Sequence, residues 1–145
     1  MSYKGKYKPQ NPSKYNGNPT NIIYRSLWER KCMKTFDTNS NVVSWSSEEV
    51  CIPYVSPVDN KKHKYYPDFL VEVKNKMGKI DTLLIEVKPE KQTTEPSKPK
   101  SGKLTRTYLT EVKSYAINTA KWNAAKKFCH VRGWKFKILT EKDIF

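Results

Sequence analysis

The sequence predicts a mixed α/β domain in which a small mixed β-sheet is flanked by helices. Helix-forming and strand-forming segments follow one another in the order α-β-β-β-α-β. The first strands are joined by short connections, whereas the last strand follows a long helix, which is the type of connection that parallel pairing requires. The chain has 145 residues, of which 37% are hydrophobic, so it suits one domain with one core of modest size.

The elements in the first half of the chain are predicted from local patterns. Segments that are rich in β-branched and aromatic side chains and bounded by turn residues favour strands. Residues 75–79, which include Gly78, supply the turn of a hairpin. In chain order we predict a helix over residues 24–36, a strand over 49–55, a polar, basic loop over 56–64, and strands over 66–73 and 80–88.

The second half is predicted to contain a long helix and a final strand. Residues 104–132 favour the helix, which Gly133 ends because glycine tolerates the left-handed conformation. Residues 134–139 alternate in the manner of a strand, and the Pro-, Ser- and Lys-rich segment 89–103 is expected to be a mobile loop. The helix residues expected to contact the core are Leu109, Val112, Ala116, Ala120, Trp122 and Phe128.

A flexible, basic N-terminal arm is predicted over residues 1–21, ahead of a single domain over residues 22–145. The arm contains several prolines and lysines and no acidic residue. Lys4, Lys6 and Lys8 alternate with tyrosines, a pattern that can follow phosphates and stack on bases. A solubilising tail without any partner is an equally good interpretation.

The net charge predicts the class of partner. Twenty-eight Lys and Arg against 14 Asp and Glu give a net charge of +14, which favours a polyanion because phosphate contacts release counterions. We therefore expect a nucleic acid as the partner, with Lys61, Lys62 and Lys64 as candidate phosphate contacts. A solvated basic loop explains these three lysines equally well. No apolar run approaches the length of about 18 residues that a membrane helix needs, so no membrane is expected.

The cysteines and histidines indicate neither a disulfide framework nor a zinc site. Cys32, Cys51 and Cys129 are odd in number and lack CxxC spacing, which suits a reducing, intracellular compartment. His63 and His130 are interpreted as ordinary surface or partly buried residues.

The predicted hairpin places two acidic residues opposite each other. Asp68 and Glu86 are each nine residues from Met77, so a symmetric hairpin makes them cross-strand neighbours on one face. Two like charges in that position need a counterion, and Mg²⁺ usually takes one or two carboxylates. Lys88 follows Glu86 at the strand period of two and can stabilise charge on a scissile phosphate. A solvated Glu and Lys on an exposed strand face is the alternative interpretation.

Two roles are open for Glu29. A helical wheel places it inside the apolar arc formed by Trp28, Cys32 and Phe36, where a carboxylate needs a partner such as a metal site. Ser26 and Glu29 also fit the S-x-x-E pattern of a capping box, in which Glu29 would satisfy the helix N-terminus and take no part in chemistry.

The motif Pro67-Asp68 followed by Glu86-Val87-Lys88 resembles the signature of the PD-(D/E)xK nuclease superfamily, with Glu29 at the position of its helix acid. The segments YRSLWERK, KYYPDFLVE and LLIEVKP are similar to those of the head-completion nucleases of T-even-like tailed bacteriophages. The resemblance extends from about residue 20 to the C-terminus. The layout also resembles the endonuclease subunits of some bacterial transposons.

The resemblance implies a restriction-endonuclease-like core and hydrolysis of DNA phosphodiester bonds with Mg²⁺ or Mn²⁺. It implies that Asp68 and Glu86 bind the metal, with the Val87 carbonyl and Glu29 as further ligands and Lys88 as the catalytic lysine. It also implies action on DNA-filled phage heads, with head or portal proteins as partners, in the host cytoplasm during assembly or in the virion.

Two alternatives stay open at this point. One is a non-enzymatic, DNA-binding structural protein of the capsid or portal vertex, and the other is a transposon or repair endonuclease with the same site. The oligomeric state and any preference for DNA structure or sequence are also open.

Overall fold

A four-stranded mixed sheet forms the centre of the fold in the computed structural model, which describes residues 4–145. In chain order the elements are β1 (Gly5–Tyr7), β2 (Ile22–Tyr24), α1 (Leu27–Thr38), β3 (Val42–Ser47), β4 (Ile52–Val55), β5 (Lys62–Tyr65), β6 (Phe69–Lys74), β7 (Ile80–Val87), α2 (Arg106–Arg132), β8 (Lys135–Leu139) and α3 (Glu141–Ile144). Single 3-10 turns lie at Pro12–Lys14 and Glu90–Thr93.

The central sheet has the spatial order β3-β6-β7-β8, and the strand pairs β1-β2 and β4-β5 form two separate small sheets. β6 and β7 form the predicted hairpin, in which Phe69 pairs with Ile85 and the turn is centred on Met77. β8 pairs with β7 in parallel, because the chain crosses over the sheet through α2. This arrangement confirms the predicted mixed α/β class with a restriction-endonuclease-like core.

Helices cover both faces of the sheet, since neighbouring residues of a strand point to opposite sides. On one face, Met33 and Phe36 of α1 pack in one cluster with Trp45, Phe69 and Ile85 of the sheet. Burial of this apolar surface is the main force that holds α1 in place.

On the other face, the fully buried Leu84 of β7 packs with Trp122 and Ala125 of α2. The β4-β5 hairpin adds Ile52 and Tyr65 to this second cluster. The hairpin therefore lies on the α2 side of the sheet, next to the strand that carries Glu86.

The predicted element order was incomplete. β3 was missed because three of its six residues are serines and an irregularity between Val42 and Ser44 breaks the strand period between the buried Val42 and Trp45. Residues 62–65 form β5, although the sequence predicts a loop through residue 64; the lysines in it have little strand propensity, and pairing with β4 in a two-stranded hairpin decides the conformation. The short helix α3 was also missed.

The N-terminal segment does not form a free arm in the described part. Residues 5–7 pair with β2, and Tyr15 is buried against Trp45 with their ring centroids 4.7 Å apart. The prediction was wrong here because Tyr7 and Tyr15 serve the core rather than an external partner. Residues 1–3 of the predicted arm lie outside the described residues.

The helix α2 extends beyond the core at its N-terminal end. Leu109 and Val112, both predicted core residues, are 46% and 39% exposed, whereas Trp122 is buried as expected. The helix ends as predicted, because Gly133 adopts the left-handed conformation with φ of 71°. The mobility expected of residues 89–103 stays a prediction. No helix within residues 4–145 has the length and apolar character needed to cross a membrane.

Candidate active site

Asp68 and Glu86 come together at the open end of the β6-β7 hairpin. The pairing of Phe69 with Ile85 puts the next residue of each strand, Asp68 and Glu86, on facing positions. One carboxylate oxygen of Asp68 (Oδ2) accepts a hydrogen bond from the Val87 backbone N–H at 2.7 Å. One carboxylate oxygen of Glu86 (Oε2) accepts a hydrogen bond from the Tyr65 hydroxyl at 2.9 Å. The backbone N–H of Asp68 also lies close enough to the Glu86 carboxylate to lower its pKa.

The surroundings of this pair penalise its negative charge. Burial raises the pKa of Asp68 well above its usual range, and the neighbouring charge of Glu86 adds to the effect. Burial also raises the pKa of Glu86, although the hydrogen bond from Tyr65 and the charges of Lys88 and Lys121 oppose the shift. Two poorly solvated carboxylates that face each other form a site that a cation would stabilise.

Lys88 follows directly on β7 and brings a positive charge to the acidic cluster. Its backbone N–H donates to the Leu139 carbonyl at 3.0 Å, which extends the pairing of β7 with β8 by one residue. Burial raises the pKa of Asp68, Glu86 and Glu29, and the charge of Lys88 opposes this increase at each of them. Its ammonium therefore acts on all three carboxylates.

Glu29 takes part in capping and also reaches the site electrostatically. The Ser26 hydroxyl accepts a hydrogen bond from the Glu29 backbone N–H at 3.1 Å, which is half of a capping box. The Glu29 side chain accepts from the backbone N–H of Arg25 at 3.0 Å, rather than from that of Ser26. Burial raises the pKa of Glu29, and its charge in turn raises the pKa of Asp68. The structure thus shows half of the capping box, and a catalytic or metal-binding role of Glu29 stays a prediction.

Residues that the sequence did not single out support the pair. Tyr65 is almost fully buried and donates to Glu86, and the Lys121 ammonium lies 5.6 Å from the Tyr65 ring centroid. Arg25 forms an ion pair with Glu48 at 3.0 Å and adds positive charge near Asp68. Lys121 directly precedes the buried Trp122, but its nearness to Tyr65 depends on the pairing of β4 with β5, and the sequence predicts only the first of these two strands.

The predicted DNA-contacting lysines fall into two groups. Lys61, Lys62 and Lys64 are exposed on the hairpin that carries Tyr65, and two of them lie in β5 rather than in a loop. Lys6 and Lys8 are exposed beside α1 and line an open cavity there; Lys4, also exposed, precedes β1.

The donor atoms available at the pair suit a hard divalent cation. Among residues 4–145, no three His, Cys, Asp or Glu side chains form a cluster that could hold a metal ion. The Asp68-Glu86 pair offers oxygen atoms only, which fits Mg²⁺ or Mn²⁺ with several bound waters rather than Zn²⁺. All three cysteines are free, and His63 is paired with Asp59 at 2.8 Å.

Comparison with known proteins gives two matches. Residues 39–141 match the family model of the TnsA-like endonuclease N-terminal domain. The head completion nuclease of Enterobacteria phage T4 is 38% identical to this chain, over 99% of the chain and 95% of the relative. The matched family region contains Asp68, Glu86 and Lys88, whereas Glu29 lies before it.

Proposed function

Because this chain belongs to the TnsA-like endonucleases of the PD-(D/E)xK type, we propose that it is a DNA endonuclease that hydrolyses phosphodiester bonds with Mg²⁺ or Mn²⁺. The observation that carries the proposal is the meeting of Asp68, Glu86 and Lys88 at the end of one hairpin. Two facing carboxylates beside an ammonium are suited to a metal ion and the negative phosphate that it would hold.

Each side chain of the site has a separate role in the proposed hydrolysis. Asp68 and Glu86 would hold the ion through their carboxylate oxygens, with the Val87 carbonyl as a further ligand. When bound, a divalent ion lowers the pKa of a coordinated water and offsets charge on the phosphate. Lys88 stabilises the negative charge that develops on the scissile phosphate, and Glu29 orients the attacking water through its second oxygen.

The bond changes are those of hydrolysis. The oxygen of water forms a bond to phosphorus, and the bond from phosphorus to the leaving sugar oxygen breaks. A proton is lost from the water, and the leaving oxygen gains a proton. Tyr65 and the Val87 amide keep the two carboxylates in position while this happens.

The direct test is cleavage of supercoiled, branched and linear DNA by the purified protein with Mg²⁺, with Mn²⁺ and with a chelator. We expect cleavage with either metal and none with the chelator. Asp68→Asn and Glu86→Gln should each reduce the rate more than about 100-fold, the upper end for loss of a residue that only supports a metal ligand. Glu72→Gln is the matched control, since Glu72 lies farther along the same hairpin, paired with Thr82. A wild-type protein that leaves every DNA form intact would contradict the proposal.

We further propose that the cleavage serves head completion in a tailed bacteriophage, with phage head or portal proteins as partners in the host cytoplasm or the virion. The name of the T4 relative, which aligns over nearly its whole length, supports this role. A phage that carries the double substitution Asp68→Asn/Glu86→Gln should lose infectious yield. A normal yield would instead favour a structural, non-enzymatic role at the capsid vertex.

A transposon endonuclease is the second candidate, because the matching family model describes TnsA-like proteins. This candidate shares the chemistry and differs in the partner. The genes beside the coding sequence distinguish the two, since virion genes support head completion and transposase genes support transposition.

A further inference from the structure

A second basic site lies between the N-terminal strand and the first helix. An open cavity of about 300 Å³ is lined by Lys6 and Lys8 from β1 and its end, and by Arg30 and Lys34 from α1. Tyr7, Gln10 and Tyr24 complete the lining, which contains no acidic residue. The cavity therefore concentrates four positive charges around one depression.

Local geometry brings these charges together in pairs. Lys6 and Lys8 share one side of the extended segment, because side chains two residues apart in a strand point the same way. Arg30 and Lys34 are four residues apart on α1, where side chains are neighbours and like charges are unfavourable. All four side chains are exposed, and none forms an ion pair with another described residue. Such a grouping is stabilised when it binds an anion.

The cavity is fixed in shape by a buried carboxylate on α1. Asp37 is fully buried and accepts hydrogen bonds from the Tyr7 hydroxyl at 2.7 Å, from the Gln10 backbone N–H at 2.7 Å and from the Asn11 backbone N–H at 2.9 Å. These bonds hold the segment that carries Lys6 and Lys8 against α1. A preorganised site loses less conformational entropy on binding than a free arm would.

The cavity is adjacent in the chain to the candidate active site. Tyr24 lines the cavity, and the next residue, Arg25, donates its backbone N–H to the Glu29 side chain. Arg30, which directly follows Glu29, belongs to the cavity. Along the axis of α1, Glu29 lies about 7.5 Å from Lys34, a span that a DNA backbone covers within a few nucleotides.

We propose that this cavity binds phosphates of the DNA backbone next to the segment that is cut, and so sets the position of the DNA on the carboxylate pair. Contacts to phosphate position a protein on DNA without reading its sequence, and the guanidinium of Arg30 is suited to hold two phosphate oxygens at once. The proposal rests on the proposed function in taking DNA as the substrate.

The test is the salt dependence of DNA binding, measured by fluorescence anisotropy with a labelled duplex in the presence of a chelator. Each phosphate contact adds roughly 0.9 to the slope of log affinity against log salt concentration. We expect Arg30→Gln/Lys34→Gln to reduce the slope by about 1 to 2 and to weaken binding at low salt. Lys6→Gln/Lys8→Gln should give the same result from the other wall of the cavity.

The matched control is Lys76→Gln/Lys79→Gln, which removes the same charge from the exposed turn between β6 and β7, at the far end of the hairpin from Asp68. The thermal unfolding midpoint of each variant should be no lower than that of the wild type. Equal slopes for the cavity and control variants would overturn the proposal. Saturable binding of inorganic phosphate by the wild type, lost in the cavity variants without any change in the DNA slope, would also overturn it and indicate a site for free anions.

Because binding is measured without cleavage, the two proposals fail separately. A protein whose slope depends on the cavity but which cuts no DNA would contradict the nuclease proposal and support the cavity. An active nuclease whose slope does not depend on the cavity would do the reverse.

Discussion

The Asp68 carboxylate accepts a hydrogen bond of 2.7 Å from the backbone N–H of Val87. This bond joins the residue before β6 to the last residue of β7, at the point where the hairpin ladder ends. It holds Asp68 opposite Glu86 although two facing carboxylates repel each other. The chain thus maintains an arrangement that costs stability, as functional sites often do.

The first prediction concerns the stability of this arrangement without metal. In a chelator, Asp68→Asn should raise the free energy of unfolding by about 0.5–2 kcal/mol, the range of common stabilising substitutions. The amide oxygen can still accept from Val87, while the repulsion with Glu86 is lost. Thermal unfolding checks this directly.

Metal addition provides the complementary measurement. Mg²⁺ should raise the unfolding midpoint of the wild type, because a ligand that binds only the folded state stabilises it, and should leave that of Asp68→Asn unchanged. A variant that is less stable than the wild type in chelator would show that the carboxylate has a structural role.

The second prediction concerns Lys88. Lys88→Met keeps the length of the side chain and removes its charge, so it should lower kcat by about 10² to 10³, as the loss of one charge-stabilising group does in other enzymes. DNA affinity should change little. Lys137→Met on the exposed side of β8 is the control and should retain full activity. Normal cleavage by Lys88→Met would exclude Lys88 from the chemistry.

The third prediction concerns Tyr65, which acts through Glu86. Tyr65→Phe removes the hydroxyl that holds Glu86 and should reduce metal affinity or activity by about 10- to 100-fold, as outer-shell substitutions do. The concentration of Mg²⁺ needed for half-maximal cleavage should rise, which a merely structural residue would not cause. Tyr54→Phe on the same hairpin is the control. An unchanged metal requirement in Tyr65→Phe would count against a positioning role.

The acidic hairpin could be predicted from the sequence because strand pairing in it is local. A short turn around Gly78 fixes the register, and the register alone places Asp68 opposite Glu86. The role of Glu29 could not be settled in this way. Its environment depends on how the chain before α1 turns at Arg25, which the local pattern does not specify.

The missed features all depend on contacts between segments that are distant in the chain. Tyr7 belongs to the core because its hydroxyl donates a hydrogen bond to Asp37, thirty residues later. β5 exists because it pairs with β4, and its lysines alone favour a loop. Leu109 has the pattern of a core residue, but the helix that carries it is longer than the sheet that it covers.

The fourth prediction follows from that last difference. Leu84→Ala should destabilise the protein by about 2–5 kcal/mol, because Leu84 is fully buried between β7 and α2 and its loss leaves a cavity. Leu109→Ala should change the free energy of unfolding by less than about 0.5 kcal/mol, as surface substitutions usually do. Urea denaturation of the matched pair is the measurement. A cost for Leu109→Ala close to that for Leu84→Ala would mean that the N-terminal half of α2 is packed in solution.

The final prediction concerns the buried carboxylate that holds the N-terminal segment. Burial would raise the pKa of Asp37, but the hydrogen bonds from Tyr7, Gln10 and Asn11 together outweigh it and lower the pKa below its ordinary value. The ionised carboxylate therefore stabilises the fold above the unfolded-state pKa of about 3.9, and this contribution is lost as the pH falls through the lower folded-state value.

Asp37→Asn should cost about 1.5–3 kcal/mol at pH 7, the range for hydrogen bonds to a charged group. Tyr7→Phe, which removes one of the bonds, should cost about 1 kcal/mol. Urea denaturation between pH 7 and pH 3 tests the assignment, because the difference between wild type and Asp37→Asn should be constant down to about pH 4 and then shrink. A difference that grows toward acid pH would contradict the lowered pKa and the tether that it reports.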